Sequence, residues 1–384
     1  MRQTGAIPMI NHFMIKEFLE LVQIPVQSKD ERQICDVLKN KLTAIGLEVH
    51  EDAPSEEIGG NAGNIVARLK GDPNVPAVLF SAHLDRVRNP GKITPIVDES
   101  QEIITSDGTS ILAADDVSGL CAILDALRCI VRDKTPHGDI EIALSTCEEI
   151  GVQGSKYFDY NNFKAKQAYV IDCPGRIGKI VNQAPAKYKI IATVKGIKAH
   201  AGNEPEKGLN AIKVAASALS EMPEGRISPV VTSNFGMIQG GTGTNVVCDR
   251  CTITGEARGT DETALNAYLE EVKAVFDRAA KRFNTKIDVS INLLYHTYFV
   301  APDSPVVQTL IRALKTEGID GLCQKGGGGS DGNHFNWHGI PSVVMALGYS
   351  KNHTNEEKIF YRDMMTCSKV LQAIVSEIFS EAKR

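Results

Sequence analysis

Short apolar runs of strand length, too uniformly apolar to line a sheet wetted on one face, recur through the chain: NIVARLKG, AVLFSAH, IEIALST, AYVID and, much later, SVVMALG. Helical stretches separate them, which predicts an α/β fold built on a largely buried sheet with helices on both faces. SKDERQICDVLKNKLTAIG reads as one such helix. Ser28 would be its N-cap, Glu31 stands at capping-box spacing, Ile34, Val37, Leu38 and Leu42 form its apolar stripe, and Gly46 would stop it. At 384 residues the chain exceeds what one hydrophobic core usually serves.

From about Ala186 the texture changes. YKIIATVKG, LNAIKVAASALSEM, VTSNFGMIQG, CTITGEARG, DETALNAYLEEVKAVFDRAAKRF and KIDVSINLLY follow as strand, helix, strand, strand, helix, strand, the split βαβ order of a ferredoxin-like unit. The buried-strand pattern resumes after Val300. Residues 186–296 therefore read as an inserted ferredoxin-like α+β domain, and residues 1–185 and 297–384 as the two parts of a catalytic domain, with a crevice between the domains.

The balance of 42 Lys+Arg against 47 Asp+Glu gives a net charge of −5, and no basic block suited to a nucleic-acid backbone occurs. No apolar run approaches the roughly 18 residues of a membrane span, and the opening MRQTGAIPMINHFMIKEF lacks a signal-peptide core. Neither nucleic acid nor membrane is expected as a partner, and the cytoplasm is the expected location. The 9 cysteines are scattered and odd in number, which fits reduced thiols. Cys248 and Cys251 form a lone CxxC with no second ligand pair, so no metal role is assigned to them.

Metal-capable residues cluster where the apolar runs stop. AVLFSA leads into His83 and Asp85, ALSTC into Glu148 and Glu149, YVI into Asp172 and VVMALGYSKN into His353, while Asp115 and Asp116 precede the helical VSGLCAILDALRCIV. In open α/β sheets ligands bind beyond the carboxyl ends of the strands, so these positions can converge. Acids gathered at one sheet edge repel unless a cation neutralises them. His83 and Asp85, two apart in extended chain, would share a side, with Asp85 available to the second nitrogen of a metal-bound imidazole. Of the adjacent Glu148 and Glu149, one would bind metal while the other acts as general base and then acid; a solvated charge pair at a turn is the plain alternative.

In the insert, His200 follows the first strand and would donate to a developing oxyanion. Asn245, and Arg258 at a strand end, would hold a substrate carboxylate or carbonyl. All three also read as ordinary surface residues. Gly328, Ser330 and Gly332 satisfy GxSxG, but no apolar run leads into them as a serine-hydrolase elbow requires. The loop, Gly329 included, more readily lets backbone approach a substrate.

Together these residues resemble the two-zinc exopeptidase family of peptidase T, glutamate carboxypeptidase and acetylornithine deacetylase. The resemblance spans nearly the whole chain, through SAHLDRV, AADDVSGL, CEEIGVQGS, VIDCPG, KGIKAHAG with GLNAI, GGTGTNVV, and GGSDGNHFNWHGIP followed by HTNEE. It implies a zinc-exopeptidase-type sheet with an inserted lid and dimerisation domain. It implies two divalent ions, zinc by ligand type with cobalt or manganese able to use the same cage: one held by His83 and Asp172, the other by Glu149 and His353, with Asp115 bridging. Glu148 would be the base and Asp85 would stand behind His83. GTSILAADD and Asp at 172 point to the peptidase T branch. Arg86, where Thr usually follows the HxD motif, and Val117, where Lys usually follows the paired Asp, depart from the family pattern beside the metals. The implied activity is aminopeptidase release of the N-terminal residue from tripeptides, with dipeptidase or N-acyl amino acid deacylase as alternatives. A serine hydrolase and a non-catalytic metal-binding protein are remoter ones. The implied assembly is a homodimer through the inserted domain, with His200 serving either its own subunit or its partner.

Overall fold

A computed structural model describes residues 12–53, 55–87 and 92–384. The first part of the opening stretch read for a signal peptide, MRQTGAIPMIN, lies outside the described residues. The chain divides into two compact units, residues 1–183 with 299–384, and residues 184–298.

The first unit is built on a nine-stranded sheet. Its middle is parallel, in the order Ile140–Ser145, Val78–His83, Gln167–Cys173, Ser342–Ala346. Antiparallel strands flank it: Ile65–Leu69 and Glu48–Glu51 on one side, Lys179–Ala184 on the other. Every residue of Val78–His83 and of Ile140–Ser145 is buried, which is why these runs are mostly apolar rather than alternating; the buried Glu141 accepts from Arg68 Nη2 at 2.7 Å. Helices cover both faces. On one, Phe335 of the helix Asp331–Trp337 packs with Leu79, Ala143, Ala168 and Val170. On the other, Tyr169 donates its hydroxyl to the Val306 carbonyl of the helix Pro305–Thr316 at 3.2 Å; adjacent strand residues point to opposite faces. The helix Ala114–Asp133 approaches the sheet so closely at Gly119 that a Cβ there would lie 2.5 Å from the Ile171 carbonyl oxygen.

A smaller sheet pairs Tyr349–Ser350, Lys358–Phe360, Ile103–Ser106 and Pro95–Asp98 in that order. It ties the segment around His353 to the hairpin that leads towards Asp115.

The helix expected from SKDERQICDVLKNKLTAIG forms over Arg32–Ile45 and stops at Gly46, whose φ is 108°. Ser28 does not cap it. The residue before the helix is Glu31, without a side-chain cap bond, and Ser28 Oγ donates instead to Asp85 Oδ2 at 2.6 Å.

The second unit is a five-stranded antiparallel sheet in the order Gly225–Ser228, Val231–Gly240, Arg250–Gly259, Ala186–Lys195, Ile287–Tyr295. The helices Ala211–Glu221 and Glu262–Arg282 contribute Val214, Ala218, Val272 and Phe276 to its core. The last four strands keep the ferredoxin-like order. Gly225–Ser228 is an addition too short to stand out in the sequence, and its pairing with the neighbouring strand reaches only Ser233.

Candidate metal and active site

The parallel strands deliver their carboxyl ends to one edge of the sheet. His83 closes Val78–His83, Asp172 stands next to last in Gln167–Cys173, and Glu148 and Glu149 follow Ile140–Ser145. Asp115 lies in the first turn of Ala114–Asp133, where Asp115 and Asp116 leave helical geometry and are joined by a cis peptide. His353 comes from the turn between Tyr349–Ser350 and Lys358–Phe360.

These side chains form two donor groups with one member in common. The ligand atoms of His83, Asp115 and Asp172 lie within 4.8 Å of one another, as do those of Asp115, Glu149 and His353. Asp115 divides its oxygens between them: Oδ1 is 3.0 Å from His83 Nε2, and Oδ2 is 3.4 Å from His353 Nε2. His83 Nε2 is 3.8 Å from Asp172 Oδ1, and His353 Nε2 is 2.9 Å from Glu149 Oε2. Tyr349 donates its hydroxyl to Asp172 Oδ1 at 3.1 Å, and Asn352 its amide to Asp115 Oδ2 at 2.8 Å.

The electrostatics suit a cation. Burial, then the neighbouring carboxylates, push Glu148 and Asp172 well above their ordinary ranges, and burial raises Glu149. Burial alone would push Asp115 up and His83 down. Hydrogen bonds from His353 and His83 hold Asp115 below its usual value, and Asp115 and Asp85 hold the His83 imidazole well above 6.5. Hydrogen bonds to Asp115 and Glu149 carry His353 to about 10. The acids hold positive charge more tightly than they would in water, and carboxylates with imidazoles are the donors that zinc accepts.

Asp85 serves His83 through its main chain. The Asp85 carbonyl accepts from His83 Nδ1 at 2.9 Å, while its carboxylate stands 3.5 Å from that nitrogen. The nitrogen facing Asp115 and Asp172 is therefore Nε2, which a neutral imidazole tautomer offers as a ligand. The Asp85 carboxylate also holds the next loop, accepting Glu148 N at 2.8 Å and Glu149 N at 3.2 Å. Two further side chains that the sequence did not single out for this role complete the clamp: Asn64 Oδ1 accepts Thr146 N at 2.9 Å, and Glu31 Oε1 accepts Cys147 N at 3.1 Å. Four consecutive amides, Thr146 to Glu149, are thus each fixed by a side-chain oxygen. The failed capping box at Ser28 and Glu31 is the trace this leaves in the sequence.

His200, Asn245 and Arg258 belong to the second unit. His200 is exposed, and its Nδ1 accepts from Gly202 N at 3.2 Å and Asn203 N at 3.1 Å, so its hydrogen resides on Nε2. Its loop lies against that of Asn245, whose carbonyl accepts Ala201 N at 3.0 Å. Arg258 lies within Arg250–Gly259 and donates from Nε to Glu256 Oε1 at 2.7 Å, so part of its guanidinium is already engaged. Gly329, back in the first unit, is half-buried in the loop after Leu322–Lys325. Ser330 beside it caps the helix Asp331–Trp337, accepting Gly332 N in a capping box with Asn333. A loop, Gly326 to Gly329, separates that helix from the preceding strand, so GxSxG here is a helix cap rather than a strand-to-helix elbow. The described cysteines are free, and Cys248 and Cys251 are both buried.

Two family models match the chain: a peptidase dimerisation domain over residues 186–284 and peptidase family M28 over residues 64–179. An uncharacterized protein of Bacillus subtilis, YqjE, is 37% identical over 95% of this chain and 98% of its own. Among solved structures, the aminopeptidase PepT of Bacillus cereus is 38% identical with a TM-score of 0.84, covering 95% of this chain and 98% of its own. A tripeptidase of Staphylococcus aureus is 32% identical with a TM-score of 0.88, covering 97% of this chain and 98% of its own.

Proposed function

The chain belongs to the peptidase T-like family of peptidases, and from that premise we propose that it is a metal-dependent aminopeptidase releasing the N-terminal residue of short peptides, tripeptides first among them. Asp115 carries the reading: a carboxylate with one oxygen in each of two donor groups is the arrangement that a pair of divalent ions requires. His83, Asp115 and Asp172 would hold one ion, and Asp115, Glu149 and His353 the other, with zinc best suited to the donors and cobalt or manganese compatible. When bound, the pair supplies Lewis-acid polarisation of the scissile carbonyl and the attacking water.

The rest falls to the chain's own groups. Glu148, its backbone fixed by Asp85, takes the water's proton on its carboxylate and returns it to the leaving amine. His200 donates from Nε2 to the oxygen that gains charge. Asn245 and Arg258 orient the substrate's carbonyl or carboxylate, and Gly329 admits its backbone.

The second unit supports a homodimer. Beyond Ser233, no described strand of the chain pairs with the outer side of Val231–Gly240, and Met237 and Ile238 are 54% and 48% exposed, which invites pairing with a second copy. No described helix is long and apolar enough to cross a membrane.

A screen of free-amino tripeptides against dipeptides and N-acetylated amino acids, with and without chelator, tests the proposal. Tripeptide cleavage lost on chelation and restored by zinc, cobalt or manganese is expected. Cleavage of the blocked substrates alone would make the chain a deacylase, and turnover undiminished by chelator would end the metal mechanism.

A further inference from the structure

Glu357 is 1% exposed, yet its carboxylate is spent on the backbone of a segment some 240 residues earlier. Oε2 accepts Leu112 N at 2.9 Å and Ala113 N at 2.8 Å, and Oε1 accepts Asp115 N at 3.1 Å. These amides open the helix Ala114–Asp133, whose preceding residue, Ala113, has φ 63° and no side-chain cap bond. Helix N-termini present unsatisfied N–H groups and a positive dipole end, so a buried carboxylate is well placed there. Glu357 thus fixes the non-helical turn that carries Asp115, while Asp116 Oδ1 caps the regular helix beyond it by accepting Gly119 N at 3.2 Å.

The segment carrying Glu357 also reaches the Asp115 side chain. Asn352 donates to Asp115 Oδ2 at 2.8 Å, and His353 Nε2 lies 3.4 Å from the same oxygen. Strand pairing between Lys358–Phe360 and Ile103–Ser106 anchors the segment at its far end. One stretch of chain therefore holds Asp115 by backbone and by side chain while presenting His353 to the same group.

We propose that Glu357 is a positioning residue that sets the register between Asp115 and His353, and through it the affinity for a divalent ion at Asp115, Glu149 and His353. This rests on the reading that those three residues hold such an ion. Glu357→Gln is the discriminating change: it keeps size and shape, but with both oxygens in use one amide N–H must face the new NH2.

The test is a zinc titration of the full-length protein against a chromophoric chelator, with thermal unfolding followed separately in excess chelator. Loss of an outer-shell partner to a metal ligand weakens binding about 10- to 100-fold, and that loss is expected for one of the ions in Glu357→Gln. Should this variant not fold, Glu357→Asp keeps the charge but shortens the reach, and the same direction is expected. Zinc affinity within about twofold of wild type, with only the unfolding temperature lowered, would make Glu357 a structural cap and overturn the proposal. Wild type that binds no zinc would overturn it together with the reading beneath it, an outcome plainly different from a variant that binds as well as wild type.

Discussion

Replacing Glu31 by Gln should change stability in a way that depends on pH with a fixed sign. Glu31 is 0% exposed, and burial together with the Asp85 carboxylate holds its pKa up at about 6 rather than 4.5. Oε1 accepts Lys29 N at 2.9 Å and Cys147 N at 3.1 Å, while Oε2 has no partner among the described residues. The carboxyl binds its proton more tightly in the fold than in the unfolded chain. Its contribution is therefore fully present below about pH 4.5 and is lost as pH rises through about 6. At about 1.36 kcal/mol per pH unit, the interval between those values amounts to about 2 kcal/mol. Gln keeps the Oε1 acceptor and cannot ionise. Its unpartnered NH2 costs about 1 to 3 kcal/mol, but equally at every pH. The absolute difference between variant and wild type can take either sign, whereas its change with pH cannot: the variant should gain about 2 kcal/mol on wild type between pH 4 and pH 8. Urea unfolding of both proteins across that range, with divalent ions chelated, measures it. A pH-independent difference would refute the picture of a carboxylate strained by burial at the base of the Glu148 loop.

Glu148→Gln should lower kcat by about 10²- to 10⁴-fold with zinc content unchanged by elemental analysis; full turnover would remove Glu148 from the chemistry. Gly119→Ala places a methyl 2.5 Å from the Ile171 carbonyl and should cost about 1 to 3 kcal/mol by denaturant unfolding. Ser330→Ala should cost about 1 kcal/mol through the lost cap and leave peptide turnover standing, where a serine nucleophile would lose it. Met237→Glu combined with Ile238→Glu should shift the mass seen by sedimentation from dimer towards monomer, and an unshifted dimer would move the interface elsewhere.

How much of this was legible in the sequence follows from what each residue acts upon. A buried parallel strand leaves two marks at once, an unbroken apolar run and a polar residue where the run stops, and His83 and Asp172 carry both. Asp115 shows only as a paired acid ahead of a helical stretch; that its oxygens divide between two groups is set by backbone geometry, which no residue type announces. Glu357 closes the HTNEE motif, yet its role, like that of Asn64, leaves no mark, because both bind main-chain N–H groups, and any residue other than proline at Thr146 or Leu112 would offer the same N–H. Glu31 leaves a misleading one. With Ser28 it satisfies the spacing of a capping box, yet Ser28 goes to Asp85 and Glu31 to Cys147. The helix Arg32–Ile45 has no cap from the residue before it, its Arg32 N going to Asn61 Oδ1 at 3.0 Å, and both would-be capping side chains are drawn to the clamp around Thr146 to Glu149. A local rule broken on both sides by partners that meet at one loop marks that loop as the place where geometry outweighs helix stability, and it is the loop that carries Glu148.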